Sequence, residues 1–165
     1  MIHPGAASPA RRWPPERFAA VARAERRAGR TVLVTGGADE VELARAVAYL
    51  ADLDPRNMLA GSTDLVGLAA VVAGAARVLC GDTGVAHLAT ALGTPSVVLF
   101  GPVSPAEWGP PPRARHVTLW SGRRGDPHAL RPDPGLLQIG VAEVLDGLEQ
   151  ADRAVHMGRH PTALA

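Results

Sequence analysis

Apolar positions along the chain recur in two alternating patterns. Short runs dense in Val, Leu and Ile alternate with stretches in which apolar residues return every three or four positions, the mark of strands alternating with amphipathic helices. Pro14 to Gly29 predicts a helix, with Pro14 suited to the first turn, Phe18, Val21 and Ala22 on one face, and Gly29 at the exit. Thr31 to Thr35 predicts a buried strand, and Ala38 to Leu53 a second helix after the turn at Gly36-Gly37. A third helix is expected from Ser62 to Ala75, capped by Ser62, Thr63 or Asp64. Then come a strand, Ala76–Gly81; a short helix, Val85–Gly93; and another strand, Ser96–Gly101. "MIHPG" at the start reads as the last residues of a strand running into a loop.

After Gly101 the pattern loosens into a proline-rich loop, a strand over His116–Trp120, an irregular stretch from Ser121 to Gly135, and a closing helix over Leu136–Ala151. Such alternation predicts an α/β fold, a Rossmann-like parallel sheet with helices on both faces. Right-handed crossovers put every strand's C-terminal end along one edge. The expected organisation is one domain over 1–152 and a flexible tail over 153–165. No internal repeat is present.

Composition narrows the functions this fold can carry. The formal charge of +1 gives no global field for nucleic acid or acidic membranes. All 17 basic residues are arginine, the better fork for phosphate. The single cysteine, Cys80, excludes an internal disulfide framework and lies in an apolar run, where an inert buried thiol is expected. No long uncharged apolar span or signal-peptide core occurs, so the chain reads as soluble and cytoplasmic.

Ligands of open parallel sheets bind beyond the strands' C-terminal ends, and three loops there carry chemistry. In "HPGAASPARRWP", Arg11 and Arg12 precede a helix and suit a phosphate clamp; the competing reading is a solvated basic loop with Trp13 capping the core. In "VTGGADEVE" the glycine turn superficially matches a dinucleotide fingerprint, but Asp39, Glu40 and Glu42 would repel a diphosphate. A carboxylate there suits a ribose diol, or simply a helix first turn. In "GDTGVAHLATALG", Asp82 or Thr83 can cap the helix and Gly84 opens the backbone to a ligand. The N–H groups of Gly84, Val85 and Ala86 form an anion site to which His87 can add. An aspartic-protease reading of Asp82-Thr83-Gly84 fails, because helix rather than strand follows and no second copy exists. No HxH or HExxH spacing supports a metal, and no cofactor is expected.

Taken together, "HPGAASPARRWPPERFAAVA", "TVLVTGGADEVE", the run from Asn57 to Pro102 and "SPAEWGP" resemble the ADP-heptose:lipopolysaccharide heptosyltransferases, glycosyltransferase family 9. The resemblance covers about His3 to Pro111, in the family's order. It implies the C-terminal, donor-binding half of a GT-B enzyme that needs no metal and inverts at the sugar. By the same resemblance Arg11 stands where a lysine usually contacts phosphate, and Glu40 where an acid holds the ribose. Asp82, Thr83, Gly84 and His87 stand around the diphosphate and sugar. The donor implied is ADP-sugar or another nucleoside-diphosphate sugar. The catalytic base and the acceptor site belong to an N-terminal domain with no counterpart here, supplied in cis or in trans. The isolated chain is therefore expected to transfer little or nothing, and a membrane-borne acceptor concerns only the full enzyme. The alternative is a nucleotide-binding or regulatory module without catalysis.

Overall fold

The computed structural model describes residues 1–158. Four parallel strands, β1 (Ile2–His3), β2 (Val78–Gly81), β3 (Ser96–Phe100) and β4 (His116–Trp120), lie side by side in chain order. Each is dominated by β-branched or aliphatic residues, and β2 and β3 are buried throughout, as sheet covered on both faces requires. Isolated parallel bridges add Val34 beside Ile2, and Met58 beside Val34. In chain order the six aligned segments therefore lie 3-2-1-4-5-6, the order of dinucleotide-binding α/β folds.

The strand expected over Thr31–Thr35 contracts to that single bridging residue. The backbone is still laddered: Ile2 N–H donates to Leu33 O at 2.8 Å, Thr35 N–H to Ile2 O at 3.0 Å, and Leu59 N–H to Val34 O at 2.8 Å. Its neighbours offer too few paired residues for a longer strand. The segment around Met58, flanked by the turn Pro55–Asn57, was not anticipated.

Six α-helices complete the fold: α1 (Pro15–Arg27), α2 (Val41–Leu50), α3 (Leu65–Gly74), α4 (Gly84–Leu92), α5 (Pro105–Trp108) and α6 (Val141–Gly158). Asp64 caps α3 by accepting from Gly67 N–H at 2.7 Å. Gly29 and Gly93 stand just past α1 and α4 at φ 80° and 70°, left-handed exits that glycine adopts without strain. The second expected helix starts later, because Ala38–Glu40 forms a 3-10 turn. The closing helix is split: a 3-10 turn at Leu136–Gln138 precedes α6. That helix passes the expected end at Ala151, so the expected tail is helical to Gly158 and its remainder lies outside the described residues. α5 arises inside the stretch expected to be loop, started by Ser104, whose Oγ accepts from Ala106 N–H.

The core divides along the sheet. On one face α1, α2 and α6 bury Trp13, Phe18, Val21, Val47, Val144 and Leu148 against Leu79, Val97 and Leu99. On the other, α3 and α4 bury Val72, Val85 and Ala89 against Cys80, Val98 and Phe100. Helices therefore cover both faces, as the sequence pattern predicts. Burial, with the nearby Asp82 charge, pushes the Cys80 thiol up to about 12, which leaves it inert. Among the described residues no helix is long and apolar enough to cross a membrane.

Below the sheet, the buried Arg77 guanidinium joins three elements. It contacts Glu25 of α1 at 2.5 Å, Asp152 of α6, and Leu148 O at 3.1 Å. Arg77→Ala leaves Glu25 and Asp152 only the longer contacts of Arg30, at 3.6 and 3.8 Å, and is expected to cost about 2 kcal/mol, measured as a shift in urea midpoint. A loss below about 1 kcal/mol would mean the cluster behaves like an exposed pair.

Candidate functional site

The strand order reverses between β1 and β2, so the loops leaving these strands open a crevice at their C-terminal ends. The β1 loop is folded tightly. Ser8 Oγ accepts from Ala10 N–H at 3.3 Å, starting a 3-10 turn over Pro9–Arg11. Trp13 then anchors the loop's far end: it is buried, stands edge-on to Phe18 at 5.1 Å, and donates its indole N–H to Ile139 O at 3.1 Å. Gly81 completes the fit, since a Cβ there would stand 3.0 Å from Arg11 O. Trp13 therefore caps the core as one reading of this loop anticipated, yet Arg11 is not left as a solvated cation.

Arg11 turns toward the end of β2, its Nη1 3.1 Å from Asp82 Oδ2. The contact is incomplete: Asp82 Oδ2 meets Arg11 only through Nη1, outside good hydrogen-bond geometry, and Arg11 Nε is sealed from solvent without a partner. Orphaned polar atoms of this kind are uncommon in a settled interior. Around them, Ala7, Arg11, Asp82, Thr83, Gly84, His87 and Trp108 line a cleft of about 340 Å³.

Thr83 takes the N-cap position of α4, but its side chain makes no capping bond, so its hydroxyl is uncommitted. Ala86 N–H is spent on Thr83 O at 2.9 Å, which removes it from the expected anion site. Gly84 and Val85 keep N–H groups with no acceptor among the described residues. Nothing lies within 4 Å of a Cβ built on Gly84, so the space above it belongs to the cleft. His87, exposed, stands one turn into the helix at the cleft wall.

Arg12 and Glu40 do not join this group. Arg12 Nε is held by Ala6 O at 2.9 Å within its own loop. Glu40 lies on the flank toward Val34: its Oε2 accepts from Gly37 N–H at 2.8 Å and stands 3.4 Å from His3 Nε2, while His3 Nδ1 meets Thr35 Oγ1 at 3.0 Å. A Cβ on Gly5 would fall 2.1 Å from the Glu40 carboxyl, so glycine is needed for that acid to lie over the β1 loop. Glu42, the rival acid, points to solvent and pairs with Arg45. The Glu40 carboxylate thus sits on the glycine turn's own N–H, which disfavours a dinucleotide phosphate there.

Three participants escaped sequence reasoning. His3, at the strand end expected in "MIHPG", was given no role, yet it is buried in β1, and burial drives its pKa down against the raising influence of Glu40. Trp108 and Ala7 enter the cleft only through tertiary packing; the resemblance quoted "SPAEWGP" without assigning its tryptophan a role. The irregular stretch from Ser121 to Gly135 is fastened beside them. Gly125 N–H donates to Pro102 O at 3.0 Å, Asp133 N–H to Ala10 O at 3.1 Å, and Arg124 pairs with Glu107 of α5.

With this geometry in place, comparison with known proteins identifies the lineage. Residues 1–134 match the model of glycosyltransferase family 9 (heptosyltransferase). The chain belongs to that family. It is 34% identical over 157 residues to lipopolysaccharide heptosyltransferase 2 of Salmonella typhimurium LT2, covering 88% of this chain and 44% of that protein. A glycosyltransferase family 9 structure from Veillonella parvula superposes with a TM-score of 0.79 at 27% identity, over 92% of this chain and 45% of that one. The E. coli ADP-heptose lps heptosyltransferase II superposes at 0.78 and 26% identity, over 95% and 46%. The parallel α/β sheet is therefore that of the GT-B heptosyltransferases, and the family-9 chain spans less than half the length of these relatives.

Burial raises the Asp82 pKa above its ordinary 3.8, against the lowering influence of Arg11 and His87 and with a small push from Glu107. A carboxyl raised by folding favours the fold below its unfolded pKa, and that contribution is lost as pH rises through the folded value. Asp82→Asn is therefore expected to gain melting temperature relative to the unsubstituted chain as pH goes from 3.5 to 7. A constant difference across that range would refute the raised carboxyl.

Proposed function

We propose that this chain is the donor-binding half of a metal-independent, inverting glycosyltransferase, and that its donor is an ADP-sugar. The observation that carries the reading is the loosely paired Arg11 and Asp82, with Arg11 Nε unpartnered, facing the uncommitted N–H groups at the mouth of α4. A diphosphate supplies what Arg11 lacks, and the free Gly84 and Val85 N–H groups and the helix dipole act on the same charge. His87 adds a donor from one side. Asp82, released from Arg11, accepts from a sugar hydroxyl, which also suits a carboxyl already raised by burial. Glu40, braced by His3 and Gly37, takes the ribose diol.

Adenine is favoured because the E. coli relative at 26% identity is described as an ADP-heptose enzyme. As the bond to the sugar breaks, negative charge grows on the departing diphosphate, where fixed donors act most strongly. We assign the acceptor site and the general base to the part of the relatives' length that this chain does not span, joined in cis or in trans, and the whole to the cytoplasm.

Magnesium-free calorimetric titration with ADP, UDP, GDP and NAD tests the reading. One nucleoside diphosphate, ADP, is expected to saturate, and NAD is not. Arg11→Ala is expected to weaken ADP binding by roughly ten- to a hundredfold, as for hydrogen bonds to charged groups, whereas Asp82→Ala, which removes a carboxylate assigned to the sugar, is expected to leave ADP binding undiminished. Absence of binding to every nucleotide, or an ADP affinity unchanged in Arg11→Ala, would overturn it.

A further inference from the structure

Trp108 has no role in the donor reading, although it lines the same cleft as Asp82 and His87. The chain has six aromatic residues by the count of Phe, Trp and Tyr, and half of them, Trp13, Phe18 and Phe100, are buried. Trp108 is 58% exposed. The short helix that carries it is closed by bonds within its own turn and starts from buried residues. Glu107 N–H donates to Ser104 O at 3.0 Å and Gly109 N–H to Pro105 O at 2.7 Å, while Val103 and Ser104 are buried beneath. Arg124 holds the neighbouring Glu107 from the loop after β4. An indole left open in a cleft beside polar groups offers a stacking face, apolar in the ring and wet at the edge.

The order of strands decides which end of the donor meets it. Along the C-terminal edge of the sheet, Glu40 follows the segment at Val34, Arg11 follows β1, Asp82 to His87 follow β2, and Trp108 follows β3. The anion seat at Arg11 and Gly84 thus lies between Glu40 and Trp108. With the ribose on the Glu40 flank, the group beyond the second phosphate extends toward Trp108.

The geometry points to Trp108 as the platform for the transferred sugar, its indole stacked on an apolar ring face while Asp82 accepts from a hydroxyl at the ring's edge. The inference rests on the donor reading. It adds that selectivity for a sugar-bearing over a bare nucleotide is carried by a residue outside the anion seat.

Parallel titrations of the 165-residue chain with ADP and ADP-heptose separate the two claims. The unsubstituted chain is expected to bind ADP-heptose more tightly than ADP. Trp108→Ala is expected to weaken ADP-heptose about tenfold more than it weakens ADP, and Trp108→Phe to restore most of that difference. Acrylamide quenching of tryptophan fluorescence gives an independent reading: ADP-heptose shields the exposed indole and ADP leaves it open. Equal losses for both ligands in Trp108→Ala, equal affinities in the unsubstituted chain, or no selective shielding would overturn the sugar platform while the donor site stands. Failure of the unsubstituted chain to bind ADP at all would instead remove the donor site, and the platform with it.

Discussion

Parallel strands cannot be joined by hairpins, so every strand of this sheet must be left at one edge and re-entered at the other. That constraint governs the rest of the molecule. It commits the intervening chain to helices on the two faces, and it brings the ends of non-adjacent sequence segments to a single rim. Because the chain builds outward from β1 in one direction through Val34 and Met58, and in the other through β2, β3 and β4, neighbouring loops part at the centre. Arg11 and Asp82 are far apart in sequence, and they meet only because of this reversal.

Their meeting is left unfinished. A buried pair optimised for stability would satisfy its remaining hydrogen-bonding capacity, since an orphaned polar group costs about 1–3 kcal/mol. Here the guanidinium Nε goes without a partner and the carboxylate is met by Nη1 alone, while the salt cluster around Arg77 at the opposite end of β2 is amply connected. Two arginine–carboxylate sites in one small fold thus carry opposite designs. The lower one binds helices together, and the upper one keeps unspent capacity beside open space.

Much of this was legible in the sequence, for identifiable reasons. Strand β4 ran over the residues expected, and α1, α4 and β3 fell within a few residues, because their periodicity was uninterrupted and their ends carried proline or glycine. The contraction at Thr31–Thr35 was not legible, since strand length depends on how much partner backbone is available, which no local pattern encodes. At the rim, the sequence singled out Arg11, Asp82, Thr83, Gly84 and His87, all of which line the cleft. Arg12 looked equivalent to Arg11, yet one residue of advance along a 3-10 turn sends its guanidinium to Ala6 O. His3, paired with Glu40, and Trp108 became visible only in three dimensions, because their partners come from other loops.

The tether between Arg124 and Glu107 has a wider consequence. The stretch after β4 touches neither Arg11 nor α4 by way of this tether; it bears on the small helix that presents Trp108. Sequence drift within that stretch can therefore re-aim the wall that carries Trp108, and through the bond from Asp133 to Ala10 it also reaches the loop of Arg11.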